Sequence, residues 1–283
     1  MDKIIVITGT SSGFGTLMVK KFSDAGYTVI ATMRDTETRN KEIAGHLAGL
    51  ANVDVMELDV ASDASVHTAM RIILEKYKKV DVLINNAAIQ GNGLLEAYSL
   101  EQFHKIMNIN FYGVFRTYKE LLPAMRKAQD GLIINISSNA GRFSPAFQVP
   151  YNSSKFALEA LTEGGYDELI GQGIETILIE PGPFLTEMYT KEGTHADIDG
   201  LVEEYGEDTA IMMTGFGVKL GNALQKHQPQ ASAVADAALA LIQMEKGTRP
   251  LRTSVDPIAQ GVDKEYNKIT AELKEKWVSQ YLS

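Results

Sequence analysis

The first fifteen residues constrain this chain most. Ile4-Ile5-Val6-Ile7 is a continuous run of β-branched residues, the pattern of a strand buried on both faces of a parallel sheet. Thr8-Gly9-Thr10-Ser11-Ser12-Gly13-Phe14-Gly15 follows at once. Leu17, Val19, Phe22 and Ala25 then recur at the steps of an amphipathic helix that stops at Gly26. Strand, glycine turn and helix in this order put free N–H groups at a helix start, where a glycine backbone can approach a pyrophosphate. Gly9, Ser11, Ser12, Gly13, Phe14 and Gly15 are the candidates for that contact. The spacing is G-x-x-x-G-x-G, and a turn needs glycine with or without a ligand. Gly9-Thr10-Ser11-Ser12-Gly13 also fits the G-x-S-x-G elbow of serine hydrolases. That reading needs a histidine partner, and none of His46, His67, His104, His195 and His227 sits in a setting that recommends it.

The alternation continues. Strands are expected at 28–33, 53–58, 80–84, 132–136 and 174–179, with a seventh at 251–255, and helical patterns separate them. Strand-helix alternation predicts an α/β fold: a Rossmann-like, doubly wound, mostly parallel sheet of six to seven strands with helices on both faces. The length of 283 residues and 45% hydrophobic content suit one domain over 1–283, without linker, repeat or low-complexity segment.

A net charge of -9 argues against nucleic-acid or anionic-membrane partners. The absence of cysteine leaves no disulfide and no thiolate metal site, and no metal is expected. No apolar run is long enough for a signal sequence or a bilayer span, so a cytoplasmic protein is expected.

Several strand ends carry candidate ligand groups, since open α/β sheets bind ligands beyond the carboxyl ends of their strands. The second strand ends Met33-Arg34-Asp35. An arginine there accommodates the 2′-phosphate of NADP(H), whereas a carboxylate binds the ribose of NAD(H). Arg34 favours NADP(H), and Asp35 keeps NAD(H) open. Asp59, with Val60, stands where it can accept from an adenine amine or cap a turn. Asn85-Asn86-Ala87-Ala88 suits a planar ligand or an Asx-rich turn. A helix is expected from Leu100 to Ala128, yet Asn108 and Asn110 lie inside it, and asparagine competes for helix backbone bonds. A bend or a function is implied.

The fifth strand delivers Ser137-Ser138 to the same edge, and Tyr151-Asn152-Ser153-Ser154-Lys155 follows. On a helix, residues four apart share a face, so Lys155 would lie beside the Tyr151 phenol. A nearby cation lowers a phenol pKa by roughly one to three units from about 10, toward proton exchange at physiological pH.

Taken in order, Thr8-Gly9-x-x-x-Gly13-x-Gly15, Asp59, Asn85-Asn86-Ala87, Asn110, Ser138, Tyr151-x-x-x-Lys155 and Pro181-Gly182-x-x-x-Thr186 resemble the short-chain dehydrogenase/reductase family, in its single-domain branch. Ala88 departs from the glycine usual there. The resemblance implies that Tyr151 is the proton donor and acceptor and that Ser138, at the family's spacing, hydrogen-bonds the substrate oxygen. It implies that Lys155 lowers the Tyr151 pKa and binds the nicotinamide ribose, and that Asn110 bends its helix and holds a relay water. Asn86 and Ala87 would lie along the adenosine ribose, and Pro181, Gly182, Phe184 and Thr186 around the nicotinamide amide. A homodimer or homotetramer through the helices holding Asn110 and Tyr151 is also implied.

The segment 184–230 has irregular periodicity and many glycines, as expected of a cover over the substrate. Phe184, Met188, Met212, Met213 and Phe216, with Phe143 and Phe147, are candidates for an apolar pocket. The expected substrate is a moderately hydrophobic carbonyl or alcohol. Over 263–282, Tyr266, Ile269, Leu273, Trp277 and Tyr281 mark an amphipathic helix that needs a surface to cover, within the subunit or on a neighbour. The function expected is NADP(H)-dependent hydride transfer, with a silent cofactor-sensing protein as the reading from another class.

Overall fold

The β-branched runs pair as seven parallel strands in the computed structural model, which describes residues 3–189 and 195–281. They are β1 (Ile4–Thr8), β2 (Thr28–Met33), β3 (Val53–Glu57), β4 (Val82–Asn85), β5 (Gly131–Ile136), β6 (Ile174–Pro181) and β7 (Arg252–Val255). The helices are α1 (Gly13–Asp24), α2 (Lys41–Ala48), α3 (Asp63–Tyr77), α4 (Leu100–Met107), α5 (Gly113–Ala128), α6 (Val149–Leu169), α7 (Leu201–Tyr205), α8 (Glu207–His227), α9 (Ser232–Gln243) and α10 (Val262–Tyr281). Successive strand side chains feed opposite layers. Ile5, Ile7, Ile84, Ile134 and Ile177 pack with Phe22 of α1 and Leu241 of α9. Val6, Ile30, Leu83 and Ile133 pack with Ile73 of α3, Leu121 of α5 and Leu158 of α6. Both faces are covered, which is why the central strands β1 and β4 read as nearly unbroken apolar runs. Full burial of one such side chain stabilises the fold by about 1.5–3 kcal/mol.

The sheet order is β3-β2-β1-β4-β5-β6-β7. Chain order reverses at the β1/β4 junction, so the loops leaving those strands diverge and open a crevice at the sheet's carboxyl edge. Among the described residues, no helix is long and apolar enough to cross a membrane.

The bend implied by Asn108 and Asn110 takes a specific form, and the segment 184–230 holds more helix than its pattern suggests. The helix expected over 100–128 is interrupted by a π-helical turn at Asn108–Tyr112, between α4 and α5. The irregular segment 184–230 contains the 21-residue α8. Gly215, Gly217 and Gly221 weaken its intrinsic helix propensity, and Ile211, Met212 and Val218 stand exposed, so no apolar stripe marks it in the sequence. Residues 190–194 of that segment, and residue 282 of the expected C-terminal helix, lie outside the described residues.

In α10 the apolar stripe does not cover its own domain: Ile269, Leu273, Trp277 and Tyr281 are exposed. Its packed face is mostly polar. Asn267 and Thr270 accept from Arg142, Tyr266 lies against Phe143, and Asn267 also donates to Glu180. The buried charges of Arg142 and Glu180 decide the helix's rotation, because unpaired burial of either would cost more than exposing a few aliphatic side chains.

Candidate active site

The glycine turn is held by close backbone approach. Gly9 has φ +71°, and a Cβ on it would lie 2.7 Å from the Ala87 Cα; a Cβ on Gly15 would collide with the Gly9 carbonyl. Asn86 Nδ2 donates to the carbonyls of Thr8 and Gly9, both at 2.9 Å, while Thr8 Oγ1 accepts from the N–H of Asn86 and Ala87. The Asn86 amide is therefore committed to fixing the turn, and the residue still borders the cleft.

One section of the cleft is lined by Gly9, Ser11, Ser12, Gly13 and Phe14 from the turn, by Asp59 and Val60 beyond β3, and by Asn86 and Ala87 beyond β4. Asp59 Oδ1 accepts from Ala61 N at 2.9 Å, so the turn role and the cleft position coincide in one residue. Gly15 is not in the lining; it supports the turn from behind. Arg34 lines this section together with Arg39 and Asn40, which the sequence had not singled out. Asp35 takes φ +58° and turns the chain back, and Asn40 Nδ2 donates to Arg34 O at 2.6 Å. Asp35 itself does not line the cleft.

The other section gathers the candidate catalytic side chains. Tyr151 and Lys155 share a buried face of the first turns of α6, with Lys155 Nζ 5.8 Å from the Tyr151 ring centroid. Lys155 Nζ donates to the Ile136 carbonyl at 2.8 Å. Burial lowers the Lys155 pKa to about 8, opposed by the carboxylate of Glu159 one turn on. Ser138 leaves the end of β5; its Oγ accepts from Ala140 N at 3.0 Å and donates to Pro181 O at 3.4 Å, a long bond open to exchange. Ser137 Oγ is buried without a partner. Behind these groups, Asn135 joins Asn85, Tyr118 and Thr162, a buried polar network that fixes the ends of β4 and β5 against α5 and α6.

Asn110 lies in the π-helical turn, nearly fully buried. Its Oδ1 accepts from Ile89 N at 2.8 Å, and its Nδ2 donates to Ile89 O at 2.9 Å and to Ser154 Oγ at 3.0 Å. The side chain thus ties the loop after β4 to α6, and the bend lets it do so.

Pro181, Gly182, Phe184 and Thr186 all border this section. Gly182 has a packing reason as well, since a Cβ there would collide with the Asp256 carboxylate. Phe184 is buried edge-on against Phe14 at 5.5 Å. Phe14, Asn86, Ala88, Thr186 and Met188 border both sections, which makes one continuous cleft. Of the apolar candidates, Phe143, Phe184, Met188 and Phe216 line the pocket, and Phe147 stands behind Phe216 at 6.3 Å. Met212 is 56% exposed and, like Met213, is not in the lining. α8 turns Phe216 and Leu220 inward instead. Gln90 and Gln148 also line the pocket, and no sequence pattern marks them.

The comparisons agree with this geometry. A family model described as short chain dehydrogenase matches residues 3–197. A 3-ketodihydrosphingosine reductase of Bacteroides thetaiotaomicron is 33% identical over 258 residues, covering 91% of this chain and 89% of that protein. Retinol dehydrogenase 8 of Bos taurus is 37% identical over 194 residues, covering 67% of this chain and 61% of that one. Among solved structures, a short-chain dehydrogenase from Streptomyces avermitilis superposes with a TM-score of 0.78 at 28% identity over 100% of both chains. ElxO with NADP bound superposes with a TM-score of 0.73 at 28% identity, over 91% of this chain and 98% of its own.

Proposed function

This chain belongs to the short-chain dehydrogenase family, and on that premise we propose that it is an NADP(H)-dependent oxidoreductase that interconverts a moderately hydrophobic carbonyl compound and its alcohol. The observation that carries the reading is the convergence of Ser138, Tyr151 and Lys155 in one cleft with the glycine turn. The residues present fit a dinucleotide. Gly9 and Gly15 allow the close backbone turn that a pyrophosphate needs, and Ser11, Ser12 and Gly13 face the cleft. Arg34 and Arg39 at its far end support the 2′-phosphate of NADP(H). ElxO, a neighbour solved with NADP bound, supports the same reading.

When bound, the nicotinamide supplies or accepts the hydride. In the direction of reduction the carbonyl carbon would receive that hydride and the carbonyl oxygen the phenolic proton of Tyr151, which together make the alcohol. Ser138 Oγ–H, exchanging from Pro181 O, donates to the same oxygen and orients it. The Lys155 ammonium stabilises the phenolate left behind. In oxidation the phenolate takes the alcohol proton by the same contacts. Asn110 keeps the loop after β4 and the start of α6 in register for this chemistry. The carbonyl and alcohol substrates named for relatives, a 3-keto compound and retinol, support the substrate class. Tyr112, Phe115 and Phe156, exposed on the segments around Asn110 and Tyr151, support pairing with a second copy of the chain.

The test is absorbance at the reduced-nicotinamide band with NADPH or NADH and a panel of aldehydes and ketones. Tyr151→Phe is expected to abolish turnover while cofactor affinity survives, and Lys155→Ala to damage both. Equal and small effects of the two substitutions on rate would sink the mechanism.

A further inference from the structure

Two buried glutamines stand in the wall of the catalytic pocket, Gln90 at 3% exposure and Gln148 at 8%. Gln148 precedes the first turn of α6, three residues before Tyr151. Gln90 is brought to the same place by Gly91, where a Cβ would lie 3.6 Å from Tyr151 N. Both amides turn their N–H groups to one acceptor: Asn92 Oδ1 takes Gln148 Nε2 at 3.0 Å and Gln90 Nε2 at 3.4 Å. Asn92 is itself anchored, with its carbonyl accepting from Ala196 N and its neighbour Gly93 N donating to Phe147 O at 2.8 Å.

An amide whose N–H is directed one way presents its carbonyl the other way. Neither Gln Oε1 has a hydrogen-bond partner among the described residues, and neither is sealed off as the Tyr98 hydroxyl is. Beside the reacting Ser138 and Tyr151, the pocket wall therefore offers two amide acceptors whose N–H groups are already engaged by Asn92. Phe143, Phe216 and Leu220 supply apolar wall to the same pocket.

Resting on the carbonyl-reductase reading, we propose that Gln90 and Gln148 form an acceptor subsite for a hydroxyl or ammonium group borne close to the reacting carbonyl of an otherwise apolar substrate. The substrate class is an apolar hydroxy or amino ketone, with the diol or amino alcohol as the reduced partner. A buried acceptor left facing an apolar or acceptor group loses water without recompense, and sites of this kind reject ligands that lack the donor.

The experiment uses alkyl ketones alike but for the substituent on the carbon next to the carbonyl: methyl, methoxy, hydroxyl or ammonium. Methoxy and hydroxyl pull electrons similarly, so their ratio isolates donation. Wild-type kcat/KM is expected to favour hydroxyl over methoxy by about 10- to 100-fold. Gln90→Leu and Gln148→Leu are each expected to shrink that ratio severalfold while the methyl ketone is still reduced. Gln148→Glu, which keeps an acceptor and adds charge, is expected to move preference toward the ammonium ketone. Equal use of hydroxyl and methoxy ketones by the wild type, or ratios unmoved in both leucine variants, would overturn the subsite and leave the reductase reading intact. Binding separates the two ideas further, through thermal shift of the NADP+-loaded protein with the diol against its methyl ether. Selective stabilisation by the diol with no turnover of any ketone would keep the subsite and overturn the reductase reading. No discrimination between diol and ether would overturn the subsite whatever the turnover.

Discussion

Replacing Asn110 by alanine removes three hydrogen bonds at once: to Ile89 N at 2.8 Å, to Ile89 O at 2.9 Å and to Ser154 Oγ at 3.0 Å. Among the described residues Asn110 is the one hydrogen-bond partner of the Ile89 N–H and C=O, and each unsatisfied buried group costs about 1–3 kcal/mol. Ile89 is only half-buried, so water reaches part of the gap and the low end applies. Ser154 Oγ keeps its donation to Tyr151 O at 2.7 Å and loses only an accepted bond. The sum is about 2–4 kcal/mol, or about 3–7 °C in Tm for a chain of this size. The assay is urea unfolding followed by far-ultraviolet circular dichroism, because the single tryptophan, Trp277, is already 60% exposed on α10 and reports little of the core. Amide exchange adds a local readout, in which protection of the Ile89 N–H should fall more than that of Ile84 in β4. Combining Asn110→Ala with Ser154→Ala should give a coupling energy of about 1 kcal/mol. A loss below about 0.5 kcal/mol, the range of an ordinary surface substitution, would refute the claim that Asn110 holds the loop.

Two further outcomes follow from charge. Arg34→Ala and Arg39→Ala should each weaken NADPH binding by about 10- to 100-fold, the worth of one charge-assisted bond to phosphate, and leave NADH nearly unaffected; titration with both cofactors checks this, and equal losses for the two would contradict it. Lys155, lowered to about 8 in the fold by burial against an ordinary value of 10.5, leaves the unfolded chain binding more protons between those values, so its contribution to stability rises with pH across that window. Lys155→Met should therefore be more stable than the parent by about 1–3 kcal/mol at pH 7 and lose that advantage near pH 10; an advantage independent of pH would show that the ammonium is not the source.

Most of the sheet was legible because strands buried on both faces are mostly apolar: Ile4–Ile7 of β1 is wholly so, and β5 and β6 keep apolar runs around the buried Asn135, Glu175 and Glu180. The glycine turn, Ser138, Tyr151 and Lys155 were legible because each sits at a strand end or helix start that local patterning already located. Arg39 was hidden because its position depends on the left-handed turn at Asp35, a property of the fold rather than of spacing. Gln90 and Gln148 were hidden for a related reason: their meeting depends on Asn92, far from Gln148 in the chain. The span of α10 was legible but its rotation was not, because amphipathic periodicity ranks apolar residues first, whereas Arg142 and Glu180 bind its polar face.

The reversal of strand order at β1 bears on how the protein is made. β1 is synthesised first but lies in the middle of the finished sheet, paired with β2 on one edge and with β4 on the other. Its second edge, Ile5-Val6-Ile7, waits for Val82–Ile84 to leave the ribosome. A nascent chain ending between those points carries an open, uncharged, β-branched edge, the kind that pairs with other chains. Chaperone demand should thus stay high until β4 is out and fall from then on, before Asn110, Ser138, Tyr151 or Lys155 has been translated.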